Sequence, residues 1–158
     1  MSMDPNALKT RNELIAKIMA QYDEGAGGKV LPVVSLEDFF VSNWDEMSLA
    51  PNKANYGRPP LSDCHRLLRE IRSRLEVQDV LVAIHESPEA DETLDEDIWP
   101  DSDTIYVLSS ASKEDIAAWA SHLQPDDIGD NWSCGTGEKP KSAPDLLPGM
   151  KVYALWWD

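Results

Sequence analysis

The sequence predicts an α+β domain, with a small antiparallel or mixed sheet of three to four strands covered by helices. Three observations carry that expectation. Leu61, Cys64, Leu68, Ile71 and Leu75 step by three and four, the spacing of one face of a helix. Val80–Ile84 and Thr104–Leu108 are short continuous apolar runs rich in β-branched residues, which suits strands covered on both faces. The chain has 158 residues and shows no internal repeat, so one domain over 1–158 is expected.

Taken in order, Asp4-Pro5 opens a helix with a capping aspartate and proline at the first helical position. Leu8, Ile15, Ile18, Met19 and Tyr22 then share a face, Arg11, Glu13 and Lys17 turn to water, and Gly25–Gly28 ends the element. Val30–Val34 is extended, and Pro32 restricts it to a sheet edge or to no strand at all. Ser35-Leu-Glu-Asp38 is a capping box that starts a short helix through Phe39, Phe40 and Val41. Residues 42–60 read as an irregular loop. The helix from Leu61 follows, with Leu67 widening its stripe and Arg66/Glu70 and Arg72/Glu76 pairs on its outer face.

The two central strands are joined by an acidic loop over 86–103, which contains no crossover helix, so they are expected to be antiparallel. A second capping box at Ser112 to Asp115 starts a helix bearing Ile116, Trp119, Ala120 and Leu123, closed by Gln124-Pro125. An irregular connection over 131–149, rich in Gly, Pro, Ser and Lys, leads to a terminal strand, Val152–Trp157.

Charge is the most informative global property. There are 14 Lys and Arg against 29 Asp and Glu, a net of −15. Through Leu75 ten basic residues balance ten acidic ones, whereas from Glu76 onward four basic residues face nineteen acidic ones. Such a field attracts basic partners and repels phosphate backbones and anionic lipid, so no nucleic acid and no membrane is expected as a partner. There is neither an apolar run of membrane-spanning length nor a secretory signal, which makes the expected location cytoplasmic.

No pattern with a defined chemistry stands out, so neither a cofactor nor a catalytic residue is assigned. Gly25-Ala-Gly-Gly-Lys29 and Gly135-Thr-Gly137 lie outside the strand-to-helix setting of a phosphate loop, and there is no G-x-S-x-G. Cys64 and Cys134 are expected as free thiols, and with His65, His85 and His122 they lack zinc spacing. Asp95–Asp97 with Asp101–Asp103, and Asp126–Asp130, offer hard oxygen ligands. Neither follows the calcium-loop order of alternating ligands, a central glycine and a closing glutamate, so no metal site is expected.

The chain carries six tryptophans, at 44, 99, 119, 132, 156 and 157. Trp119 is expected in the core with one of Trp156 and Trp157, the other of which strand alternation sends to the opposite face. Trp99 sits amid acid. With Asp95, Glu96, Asp97, Asp101 and Asp103 it forms the candidate surface for a basic protein partner, since tryptophan is enriched at hot spots and charge speeds encounter. The competing reading has Trp99 folded back to pin its loop onto the sheet.

Pro32–Phe40, Val77–Val82, Trp99–Tyr106 and Leu155–Asp158 resemble segments of a group of small uncharacterised bacterial proteins. In size, acidity and lack of motifs the chain also resembles immunity proteins that neutralise bacterial toxins. These features lead to the expectation of a non-enzymatic acidic protein-binding domain, of immunity or inhibitor type, for a basic bacterial partner. The alternative is a metal-dependent or hydrolase-like enzyme that uses carboxylates of the second half.

Overall fold

Val80, Val82 and Ile84 alternate with Leu81 and Ala83, and both sets are buried, so the sheet they form is covered on two sides. A computed structural model describes residues 5–21, 31–54, 56–87, 98–132 and 138–158. Its sheet has five strands, β1 (Val33–Ser35), β2 (Val77–Ala83), β3 (Thr104–Ser109), β4 (Asp127–Gly129) and β5 (Lys151–Trp156), in the order β1-β2-β3-β5-β4. Every neighbouring pair is antiparallel, including β2 and β3, the one pair for which the sequence carries that expectation. The architecture is α+β. The expectation of three to four strands falls short by β4, a three-residue edge strand whose Asp-Ile-Gly sequence carries no strand signal.

Among the described residues four α-helices accompany the sheet: α1 (Pro5–Gln21), α2 (Leu36–Phe40), α3 (Leu61–Arg72) and α4 (Lys113–Trp119). Both serines act as N-caps, with Ser35 Oγ accepting from the Asp38 N–H at 3.0 Å and Ser112 Oγ from the Asp115 N–H at 3.2 Å. At the start of α3 the Leu61 N–H donates to Glu46 Oε1 at 3.1 Å, so a residue of the preceding loop supplies the cap. Arg58, also buried, donates to the carbonyls of Glu46 and Pro59, which ties that loop to the helix it caps.

The inner face of the sheet, with Val80, Val82, Ile105, Val107, Tyr153 and Leu155, packs with Leu14 and Ile18 of α1, Phe39 of α2, Leu68 of α3 and Ile116 of α4. The outer face, with Leu81, Ala83, Tyr106, Leu108, Val152 and Ala154, is covered by Trp132 and Ala143 from the 131–149 connection. The side chain of Gln78 fixes that cover, donating to the Asp145 carbonyl at 2.9 Å and accepting from the Leu147 N–H at 3.0 Å. An irregular segment thus does the work a helix layer would otherwise do.

Several assignments made from periodicity change. Arg11 is 1% exposed rather than facing water, and its guanidinium reaches the Ile98 carbonyl at 2.9 Å. Met19 is exposed, and Leu75 is 98% exposed because α3 stops at Arg72, before the stripe reaches it. Arg72 pairs with Glu37 of α2, through contacts of 2.8 and 2.6 Å, instead of with Glu76. Arg66 and Glu70 do pair, at 3.4 Å. Trp119 is half-buried with Arg74 over its ring at 4.3 Å, a cation–π contact.

Candidate functional site

Of the residues the sequence singles out for partner binding, Asp95, Glu96 and Asp97 lie outside the described residues. Trp99 is fully buried, which removes it as an exposed anchor and matches the competing reading of a pin. Its ring meets Trp44 edge-on with centroids 5.2 Å apart. Its backbone N–H donates to Asp45 Oδ2 at 3.2 Å, while Asp45 Oδ1 accepts from the Met47 N–H at 3.0 Å. Ser102 exchanges backbone bonds of 2.7 Å with Ser48 and Ala50. Burying a ring of this size is worth about 2–3 kcal/mol, which favours a closed loop junction over an exposed aromatic.

The remaining two, Asp101 and Asp103, are half-buried at one end of the sheet. The register aligns Ala83, Thr104, Trp156 and Asp127 in one row across β2, β3, β5 and β4. Residues just beyond that row therefore share an end: Glu86 after β2, Asp101 and Asp103 before β3, Asp126 before β4 and Asp158 after β5. Glu86 and Asp101 are bridged, and the Glu86 N–H donates to Asp101 Oδ1 at 3.0 Å. Burial pushes the Asp101 carboxyl up from its ordinary value, and the Glu86 and Asp103 charges push it the same way. Asp126 is lowered by the Asp158 N–H, 2.7 Å away, and by Lys53 at 3.4 Å.

Trp156 belongs to this end. Leu155 and Trp157 point into the inner core, where the Trp157 Nε1–H donates to the Leu123 carbonyl at 3.0 Å, and alternation turns Trp156 outward. At 40% exposure it is the one exposed tryptophan of the six. Asp127 is its direct cross-strand neighbour on the same face. Together they border a recess of about 330 Å³, whose lining also includes Trp132, Ala154, Gly129 and Asp130. Trp132 is held there by Tyr106, edge-on at 4.8 Å. Asp130 is 3.4 Å from Lys113, and Asp127 has no ion-pair partner among the described residues. An exposed aromatic beside carboxylates is the combination the sequence places at Trp99, and the fold places it at Trp156. Alternation showed that one of Trp156 and Trp157 turns outward, whereas its pairing with Asp127 depends on β4, which gives no sequence signal.

Other chemistry-bearing residues have structural roles. The Cys64 thiol is buried in the stripe of α3, accepting from Arg58 at 3.8 Å, and burial pushes its pKa up, away from a reactive thiolate. Next to it, His65 stacks on Phe40 at 4.9 Å, and burial together with Arg69 pushes its pKa down. Cys134 lies outside the described residues. Among the described residues no group of three or more His, Cys, Asp or Glu is placed to hold a metal ion, and no helix is long and apolar enough to cross a membrane.

The Uncharacterized protein YfbO family matches residues 9–155. "Uncharacterized protein YfbO" of Escherichia coli (strain K12) is 34% identical over 128 residues, which cover 80% of this chain and 83% of that protein. No solved structure matches.

Proposed function

The chain belongs to the YfbO family, and from the acidic end of its sheet we propose that it is a non-enzymatic binding protein for a basic protein partner. One observation carries the reading. The antiparallel register collects Glu86, Asp101, Asp103, Asp126, Asp127 and Asp158 at the sheet end where Trp156 is exposed. Carboxylates of one sign steer a basic protein toward that end, and an exposed tryptophan supplies the apolar contact that slows its departure. In its finer form the reading is of an immunity or inhibitor protein that occupies a basic bacterial toxin, supported by the small size and net charge of −15.

The test is capture of the partner from the source bacterium on immobilised wild-type protein, Trp156→Ala and Asp127→Lys in parallel at low salt. A basic protein is expected on the wild type and absent from both variants, with its association slowing as salt screens the charge. A partner held equally by all three proteins, or one without excess positive charge, would overturn the reading. For the finer form, co-expression should protect cells from that partner's toxicity, and an innocuous partner would rule it out.

A further inference from the structure

We infer that the recess between Trp132 and Trp156 is a receptor for an arginine side chain of the partner. The inference rests on the proposed binding of a basic protein and names what part of that protein is read. Gly129 and Ala154 face each other across β4 and β5, so two neighbouring positions on the outer face contribute almost no side chain. The two indoles and the carboxylate of Asp127 border that gap, with the Asp130 backbone position at its edge, leaving about 330 Å³. The lining is thus aromatic and anionic together, and both features favour a cation with a flat apolar surface. Guanidinium meets that description better than ammonium, because it is planar, weakly hydrated and stacks on aromatic rings while bonding a carboxylate with two N–H groups. Asp127 is the carboxylate available to it, since Asp130 already faces Lys113 at 3.4 Å.

Gly129 also provides the means of closing the recess without altering its charge. Its φ lies outside the left-handed region, and an added Cβ would meet only the Ala154 Cβ, at the ordinary distance of 3.8 Å. Gly129→Leu should therefore fit β4 and fill the space with methyl groups while Asp127 and Trp156 stay in place.

The experiment titrates the whole protein with the capped tripeptide acetyl-Gly-Arg-Gly-amide, following the indole N–H resonances of Trp132 and Trp156. Its citrulline and lysine counterparts are the controls. Saturable shifts of these two resonances are expected with arginine, with weakening of about tenfold or more for citrulline, which keeps the shape and loses the charge, and about threefold for lysine. Equal response to citrulline would overturn the inference, as would lysine binding as tightly as arginine. Gly129→Leu and Asp127→Asn, checked for folding by circular dichroism, should each lower the arginine affinity about fivefold or more. Wild-type affinity in folded Gly129→Leu would overturn the inference, and the peptide controls decide the matter on the wild-type protein if that variant does not fold. The inference and the function it rests on fail differently. A basic partner captured by Gly129→Leu as well as by wild type, yet lost by Trp156→Ala, refutes the recess and leaves the partner surface. Arginine-specific binding without any basic partner dependent on Trp156 supports the recess and refutes the proposed function.

Discussion

Arg11 shows how residue type and position can give opposite answers. It lies three, four and seven residues before Leu14, Ile15 and Ile18, all buried, so its place on α1 is in the apolar stripe although its charge argues for water. Position prevails because the long side chain can end on the Ile98 carbonyl, 2.9 Å away, so that burial does not strand the charge. Arg11 thereby links α1 to the segment that leads into the buried Trp99. Replacing it with Leu keeps apolar bulk but leaves that carbonyl without its donor, and should lower stability by about 1–3 kcal/mol in urea unfolding. Wild-type stability in Arg11→Leu would mean that packing alone explains the position. Trp99→Ala should cost more, about 3–5 kcal/mol, as a large core ring lost to a cavity. A near-neutral effect on stability would be incompatible with Trp99 as a pin.

At the level of elements, sequence signals that depend on local chemistry were legible and those that depend on partners were not. The two Ser caps and the apolar runs of β2, β3 and β5 could be read because each is a property of a few consecutive residues. The strand β4 and the Arg72–Glu37 pair could not, because each exists only through a distant element. The edge strand β1 is an intermediate case, since Pro32 limits Val30–Val34 to an edge or to no strand and a distant side chain supports the edge. Gln21 of α1 donates to the Val33 carbonyl at 2.9 Å and accepts from the Val33 N–H at 3.0 Å, as a neighbouring strand would. A side-chain amide thus occupies an edge that could otherwise pair with another chain. Gln21→Ala should cost about 1–2 kcal/mol and expose that edge, so sedimentation should detect self-association that grows with concentration. A variant that stays monomeric would show that the short edge is protected without Gln21.

The ion pair between α2 and α3 makes a prediction in pH. Arg72 holds Glu37 at a pKa of about 2, below its ordinary 4.5. The folded state therefore favours the ionised carboxylate, and its contribution to stability is present above pH 4.5 and is lost as pH falls toward 2. Both side chains are partly exposed, so solvent screening limits the pair to about 1 kcal/mol at most. Glu37→Gln should be less stable than wild type near about pH 6, and the gap should shrink steadily below about pH 4.5 and be nearly gone by about pH 2. A gap that stays constant with pH would assign the effect to packing of the side chain instead.

Across the whole molecule, the concentration of acid in the second half of the chain was plain from the sequence, but its location was not. Glu86, Asp127 and Asp158 are far apart along the chain, and only the strand order β2-β3-β5-β4 makes them neighbours. That arrangement sets like charges against one another, so the folded state carries a repulsive energy that salt should relieve. Sodium chloride is accordingly expected to raise the melting temperature gradually over the range in which the Debye length falls below the spacing of the charges, with no stoichiometric endpoint. Calcium tests whether the acidic segments do more than repel. They lack the ordered ligand pattern of a calcium loop, so at matched ionic strength calcium chloride should add little beyond the effect of sodium chloride. The measurement is paired thermal melts in the two salts, with calorimetric titration for affinity. A saturable calcium site of micromolar affinity, with a rise in melting temperature beyond that of ionic strength, would show that the fold converts the charge of this sheet end into a cation site.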